Sequence, residues 1–300
     1  MSDKWIYLND RFVKKEDAVV SVYDHGFLYG DGVFEGIRMY SGNVFRLDDH
    51  IKRLYESAHS IMLEIPFDKE ELKQLIVETL KKNEYQDAYI RVVISRGVGD
   101  LGLSPFTCQR PGVIIIAEPL ALFPKELYES GIEVVSVPSR RNRSDVLSPK
   151  VKSLNYLNNI LVKIEAHLAG ASEAIMMNDQ GYIAEGSGDN IFIIKDGVIK
   201  TPPGYIGALE GITRNVIIEL AKEQGLDIRE DVFTRHDVYT ADEVFLTGTA
   251  AEVIAVVKVD GRKIADGHPG AITKQLLEAF RNVVVLDGTK VYEASHVQVS

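Results

Sequence analysis

Lys152, Tyr156 and Glu185 are the residues of this 300-residue chain from which a reaction could be assembled. A lysine amine condenses with a carbonyl when it is neutral at the moment of attack. From Leu154 onward the apolar residues Leu157, Leu161, Ile164 and Leu168 recur at helical spacing until Gly170, which predicts a helix with Lys152 at its start. The aligned peptide dipoles put partial positive charge there and favour the neutral amine. Tyr156 lies four residues on, one helical turn away on the same face. Glu185 precedes Gly186-Ser187-Gly188 in a strand-flanked loop. Its plain reading is an exposed carboxylate, and its sharper one an acceptor for a protonated ring nitrogen. Gly211-Ile212-Thr213 opens a further helix, where free amides, the helix dipole and a hydroxyl suit an anion. Thr247 to Ala251 follows a strand as a run of small residues whose amides can form a second anion nest. The plain readings are a solvated lysine, a helix start and a tight turn. Together, an amine, a carboxylate, a phenol and a phosphate cup are the parts of a pyridoxal phosphate site.

These residues need elements to hold them. Strands are expected at Trp5 to Leu8, Phe12-Val13 and Val19 to Val22. A glycine-punctuated stretch then leads into a strand through Phe34 that closes on a hairpin at Ser41-Gly42-Asn43. Alternation sets Phe34, Gly36 and Arg38 on one face of it and Val33, Glu35 and Ile37 on the other. Helices are predicted from about Asp49 to Leu63 and from Asp68, where Glu71 completes a capping box. Arg53 falls opposite the apolar stripe of the first of these, as a solvated arginine would. In the strand Ala88 to Ser95, Tyr89 and Arg91 share a face. Residues 119–131 lose the strand pattern and carry two prolines, marking a linker between a small N-terminal α/β domain, 1–118, and a larger one, 132–300, that holds Lys152. Arg140, Arg141 and Arg143 read as a solvated basic loop. Strands and helices mixed with many hairpins, without internal repeats, indicate an α+β fold in two domains.

Composition narrows the function. A net charge of -10 argues against nucleic acid. Cys108 is the only cysteine, which rules out an intramolecular disulfide and suits a reducing compartment. The histidines lack helical metal spacing, so no metal is expected. Met1 to Asp10 has neither a basic start nor an apolar run, and no stretch has the length of a membrane span, so a cytoplasmic protein is expected.

The set Tyr29 to Arg38, His50-Ile51-Lys52-Arg53-Leu54, Tyr89-Ile90-Arg91, Lys152-Ser153-Leu154-Asn155-Tyr156, Glu185 to Asn190, Gly211-Ile212-Thr213-Arg214 and Gly248 to Glu252 resembles the class IV pyridoxal-phosphate aminotransferases. Within them it is most similar to the branched-chain amino-acid aminotransferases, with motifs in that family's order from about Ile6 to Phe280. The resemblance implies the two-domain fold of the D-amino-acid and branched-chain aminotransferases, pyridoxal 5'-phosphate as cofactor, and a homodimer or a higher assembly of dimers. It implies transamination between L-leucine, L-isoleucine or L-valine and 2-oxoglutarate, with small-molecule amino acids and 2-oxo acids as partners and neither nucleic acid nor membrane. Lys152 would carry the cofactor and move the proton between the substrate Cα and cofactor C4′. Glu185 would face the pyridine nitrogen and Tyr156 the phenolate oxygen. Arg53, Ile212, Thr213 and Thr249 would hold the phosphate, with Leu209, Gly211 and Gly248 in the same cofactor set. Tyr89 and the amides of Thr249, Ala250 and Ala251 would take the α-carboxylate, and Arg91 the second carboxylate of glutamate. Tyr29, Phe34, Gly36 and Tyr156 would complete the substrate pocket. The alternatives are a D-amino-acid or amine aminotransferase, or an aminodeoxychorismate lyase of the same class; the D-amino-acid enzymes carry an Arg-x-His pair that Arg96 to Leu101 lacks. Leu120, Leu122 and Phe123 stand where relatives often have Tyr or Trp over the substrate.

Overall fold

The computed structural model describes residues 4–119 and 122–292, and the chain divides into two compact units, Met1–Leu120 together with the segment from Val283 onward, and Ala121–Asn282. In chain order the first unit comprises β1 (Trp5–Leu8), β2 (Arg11–Lys14), α1 (His25–Tyr29), β3 (Gly32–Tyr40), β4 (Asn43–Phe45), α2 (Leu47–Ser60), α3 (Lys69–Lys82), β5 (Ala88–Ser95) and β6 (Gly112–Glu118). The second comprises α4 (Lys125–Ser130), β7 (Ile132–Arg140), α5 (Leu157–Leu168), β8 (Glu173–Met177), β9 (Ile183–Gly186), β10 (Asn190–Lys195), β11 (Val198–Thr201), α6 (Ile212–Glu223), β12 (Asp227–Glu230), α7 (Arg235–Tyr239), β13 (Glu243–Gly248), β14 (Glu252–Val259) and β15 (Arg262–Lys263). The last elements among the described residues are α8 (Ala271–Val283) and β16 (Gly288–Lys290).

The first unit is built on one sheet, ordered β16-β4-β3-β5-β6-β1-β2, in which every pairing is antiparallel. α2 packs on β3, and α3 on β1 and β6. Both helices bury their apolar stripes, Ile51 and Leu54 from α2 and Leu72, Ile76 and Leu80 from α3. Asp68 caps α3 by accepting from the Glu71 amide at 2.9 Å, and the Glu71 carboxylate accepts from the Asp68 amide at 2.8 Å. In the β3–β5 register Gly36 lies opposite Arg91 and Arg38 opposite Tyr89, so Phe34, Gly36, Tyr89 and Arg91 share one face. Two expectations change. Val19 to Val22 is not a strand: no neighbour pairs with it, and Val19, Val20 and Val22 are exposed. After Asp287, β16 pairs with β4 and ties the segment from Val283 to the first sheet; three polar residues carry no strand signal.

The second unit has a nine-stranded mixed sheet, β12-β11-β10-β13-β14-β7-β8-β9, with β15 paired to β14. Its core includes Ile132, Val134, Ile175, Ile183, Ile191, Leu246 and Ile254. Phe123 is buried in that core, Leu122 is exposed, and Leu120 lies outside the described residues. α5 packs on β7 and β8. The face it buries is Asn159, Val162 and Ala166, against Val137, Ala174 and Met176. Leu157, Leu161, Ile164 and Leu168, whose spacing predicted the helix, point outward together with Ile160. A small-residue face lets the helix sit close to the sheet, so α5 is apolar on both sides.

Candidate active site

Lys152 is not at a helix start. α5 begins at Leu157 behind Tyr156 as its N-cap residue, and the first helical bond runs from the Ile160 amide to the Tyr156 carbonyl. Residues 153–156 instead form tight turns, with Ser153 donating to the Val151 carbonyl and Tyr156 to that of Leu154. The helix dipole fades within its first turn and Lys152 lies four residues ahead of the cap, so the electrostatic argument for its amine falls. The pairing with Tyr156 nevertheless exists: Lys152 Nζ donates to Tyr156 Oη at 3.3 Å and lies 5.6 Å from the ring centroid.

Glu185, on β9, is 5% exposed and thoroughly anchored. Its Oε1 accepts from Arg141 Nε at 2.6 Å, and its Oε2 from the Leu209 amide at 2.8 Å and from Asn190 Nδ2 at 3.3 Å. A carboxylate has about four acceptor positions, so these bonds orient it without exhausting it. Asn190, on β10, also donates to the Leu209 carbonyl at 2.8 Å, which locks the 203–210 loop to the strand. Arg141 corrects the reading of the basic loop. It is 7% exposed, and its own amide donates to the Met177 carbonyl at the end of β8. Arg143 is the exposed member, paired with Asp145 at 2.7 Å, and Arg140 is exposed as well.

Gly211 is the N-cap residue of α6, and no side chain caps the helix. The opening amides, at Ile212 and Thr213, therefore have no capping oxygen from this residue, the condition under which a helix start receives an anion. Thr213 is 4% exposed. Thr249, Ala250 and Ala251 make the tight turn between β13 and β14, with Gly248 and Glu252 paired beneath it. The Ala251 carbonyl accepts from Tyr128 Oη at 3.1 Å.

The first unit carries its own constellation. Arg91 stacks over Phe34, 4.6 Å from guanidinium carbon to ring centroid, and Arg91 Nη2 donates to Tyr89 Oη at 3.2 Å. Gly36 makes room for this pair, since a Cβ there would lie 2.0 Å from Tyr89 Oη. Tyr29, at the end of α1, is exposed and donates to the Leu101 carbonyl at 2.7 Å. Arg53 overturns its helical-wheel reading. Its side chain is 12% exposed, with Nε donating to Glu35 Oε1 at 2.7 Å and Nη2 to Oε2 at 2.8 Å. His50 Nδ1 lies 2.8 Å from the same Oε2. Glu35 is wholly buried; burial pushes its carboxyl up, but the charges and hydrogen bonds of Arg53 and His50 outweigh this and hold it far below the usual carboxylate range. Arg96 is likewise committed, to Asp31 at 2.9 Å and to the carbonyls of Ile61 and Met62.

Glu35, His50 and Arg141 are buried charge partners of the expected site residues, and the sequence reading gave them no role. Glu35 had a signal: alternation placed it on a strand face with Val33 and Ile37, and a carboxylate there needs a cation. Arg141 had none, because its partner is 44 residues away. The donor set of the second unit fits pyridoxal phosphate: an amine beside a phenol, a buried oriented carboxylate and an uncapped helix start.

The profile of the amino-transferase class IV family matches residues 32–259. A Methanocaldococcus jannaschii protein provisionally named a branched-chain-amino-acid aminotransferase is 54% identical over 96% of this chain and 99% of its own. Among solved structures, the Escherichia coli branched-chain amino acid aminotransferase superposes with a TM-score of 0.92 at 38% identity, covering 96% of this chain and 97% of that one. The branched-chain amino acid aminotransferase of T.th., complexed with N-(5'-phosphopyridoxyl)-L-glutamate, does so with a TM-score of 0.89 at 38% identity, covering 95% of each chain.

Proposed function

The chain belongs to the class IV aminotransferases, and we propose that it is the branched-chain enzyme of that class, exchanging the amino group of L-leucine, L-isoleucine or L-valine with 2-oxoglutarate on pyridoxal 5'-phosphate. When bound, this cofactor supplies the electron sink that receives the pair left as the substrate Cα–H bond breaks. The rest is the work of the chain. Lys152 would take the proton from the substrate Cα and hold it for return in the second half of the exchange. Tyr156 orients that amine through the 3.3 Å bond. Glu185 would face the ring nitrogen of the bound cofactor as its acceptor, and Arg141 and the Leu209 amide hold that carboxylate in place. In the second unit the Ile212 and Thr213 amides, the Thr213 hydroxyl and Thr249 would bind phosphate, with Gly211 and Gly248 shaping those backbones. The amides of Thr249 to Ala251 in the second unit would take the α-carboxylate, and Arg91 in the first unit the second carboxylate of glutamate. Phe34, Tyr29 and Tyr156 supply apolar walls for a branched side chain, and Gly36 leaves space for Tyr89.

The buried Glu185 clamp is the observation that carries this reading, because a carboxylate desolvated and aimed by three donors has a purpose beyond solubility. Arg96, tied to Asp31, has no guanidinium edge to spare for a D-amino-acid carboxylate. The test is a donor panel of L-leucine, D-alanine and aminodeoxychorismate with 2-oxoglutarate as acceptor. L-leucine is expected to be the good donor, and Lys152→Ala should abolish its turnover together with any borohydride-reducible cofactor attachment. A preference for either other donor, or an Ala variant with normal turnover, would refute it.

We also propose that the assembly is a homodimer or larger, with a second copy covering the outer face of α5. No described helix is long and apolar enough to cross a membrane.

A further inference from the structure

Behind the Glu185 clamp lies a second set of buried acids whose charges do not balance. Glu173, on β8, accepts from Lys163 Nζ at 2.8 Å and from the amides of Ala174 and Ser187 at 2.8 and 3.1 Å. Glu185 has Arg141. Asp189 is a third carboxyl in the same region, 7% exposed, and no cation among the described residues lies within ion-pairing distance of it. Its backbone is fixed, since its carbonyl accepts from the Gly186 amide at 2.6 Å. Its side chain is directed at Gly248, the last residue of β13 before the turn, where a Cβ would lie 2.2 Å from Asp189 Oδ1. The strand it precedes pairs with β13, Asn190 opposite Thr247. The carboxyl is therefore wedged between an acidic cluster and the strand end that launches Thr249 to Ala251.

We propose that Asp189 is a positioning residue of the cofactor and carboxylate site: its carboxyl is the support on which Gly248 rests, and through Gly248 it sets where the Thr249–Ala251 amides point. The inference rests on the reading of that turn given above. Asp189 performs this role as the neutral acid. Burial first, then the Glu173 carboxylate and more weakly Glu185, push it up from 3.8 to about 8, against the pull of Lys163 and Lys152. Ionised, it would add a third negative charge to the cluster and strain the turn it supports. Asn reproduces its shape without that charge, whereas Ala leaves a void under Gly248.

Two measurements on the apo-protein and its binding of pyridoxal phosphate test this. A carboxyl raised in the folded state stabilises below its unfolded pKa and loses that contribution as pH rises through about 8. Thermal stability should therefore descend more steeply between about pH 5 and about pH 8 in the wild type than in Asp189→Asn. At pH near 7 the Asn variant should keep the cofactor Kd within about threefold, and Asp189→Ala should weaken it about tenfold, the size of one lost buried polar contact. Should the Ala variant fail to fold, Gly248→Ala, which drives a methyl group into Asp189 Oδ1, serves in its place with the same expected loss. An Asn variant that follows the wild-type pH descent, or that binds cofactor as poorly as the Ala or Gly248 variant, overturns the proposal. Failure of L-leucine as donor with these results intact would instead overturn the substrate assignment alone.

Discussion

Arg91 is the residue at which the two halves of the proposed reaction separate. The guanidinium is stacked on Phe34 and bonded to Tyr89, so it is held in place before any ligand arrives. In the proposed role a leucine side chain would gain nothing from it beyond apolar contact with the rim, while the distal carboxylate of glutamate or 2-oxoglutarate would gain a charge-assisted bond of about 1.5–3 kcal/mol. Arg91→Ala is expected to raise KM for 2-oxoglutarate about 10- to 100-fold while changing that for leucine little. Steady-state kinetics on each half-reaction check this, and equal losses would remove Arg91 from its role. Lys152 shows the opposite kind of legibility. It was singled out by the company of Tyr156 and Glu185, yet the physical argument built on a helix start was mistaken, since the chain from 153 to 156 turns instead of coiling.

Between α2 and β3 the Glu35, His50 and Arg53 cluster joins helix to sheet. His50 and Arg53 are three residues apart on α2 and so lie on one side of it, over Glu35. Breaking a buried pair by removing one charge costs about 3 to 5 kcal/mol. Glu35→Gln should lower stability by that order, and by loosening Arg53 it should weaken phosphate-bearing cofactor more than it affects the apo fold at α3. The pH dependence has a definite sign. The folded carboxyl is depressed below 4.5, so its stabilisation is present above that value and is lost progressively as pH falls beneath it. Denaturant midpoints at about pH 7 and about pH 4 should show the wild type converging on the Gln variant in acid; a constant gap would contradict the cluster's proposed energetics. Alternation along β3 did place Glu35 with Val33 and Ile37, but a helical wheel knows only the helix's own stripe and sent Arg53 to water.

For the whole molecule the surface that calls for a partner is the outside of α5. Leu157 and Leu168 are 67% and 81% exposed, with Ile160, Leu161 and Ile164 between them on the same side. Contiguous apolar stripes of this kind mark interfaces rather than free surface. Leu161→Glu combined with Ile164→Glu is expected to reduce the assembly to a smaller species by light scattering, leaving far-ultraviolet circular dichroism unchanged because neither side chain supports the unit's own core. An assembly size indifferent to both charges would show that the second copy docks elsewhere.

What could be read along the chain were patterns completed within about a dozen residues: the capping box at Asp68, the hairpin at Ser41-Gly42, the strand Ala88–Ser95, and the motif set that points to the family. Such signals survive because periodicity and local hydrogen bonding act between near neighbours. The pairing of Arg141 with Glu185, of Arg53 with Glu35 and of Asp189 with Gly248 had to wait for the fold. Each joins residues on different elements, and which elements become neighbours is set by the order of strands in the sheets. The same is true of α5: its hydrophobic spacing announced a helix at once, but the packing of β7 and β8 against Val162 and Ala166 determined which side was buried and which was left exposed.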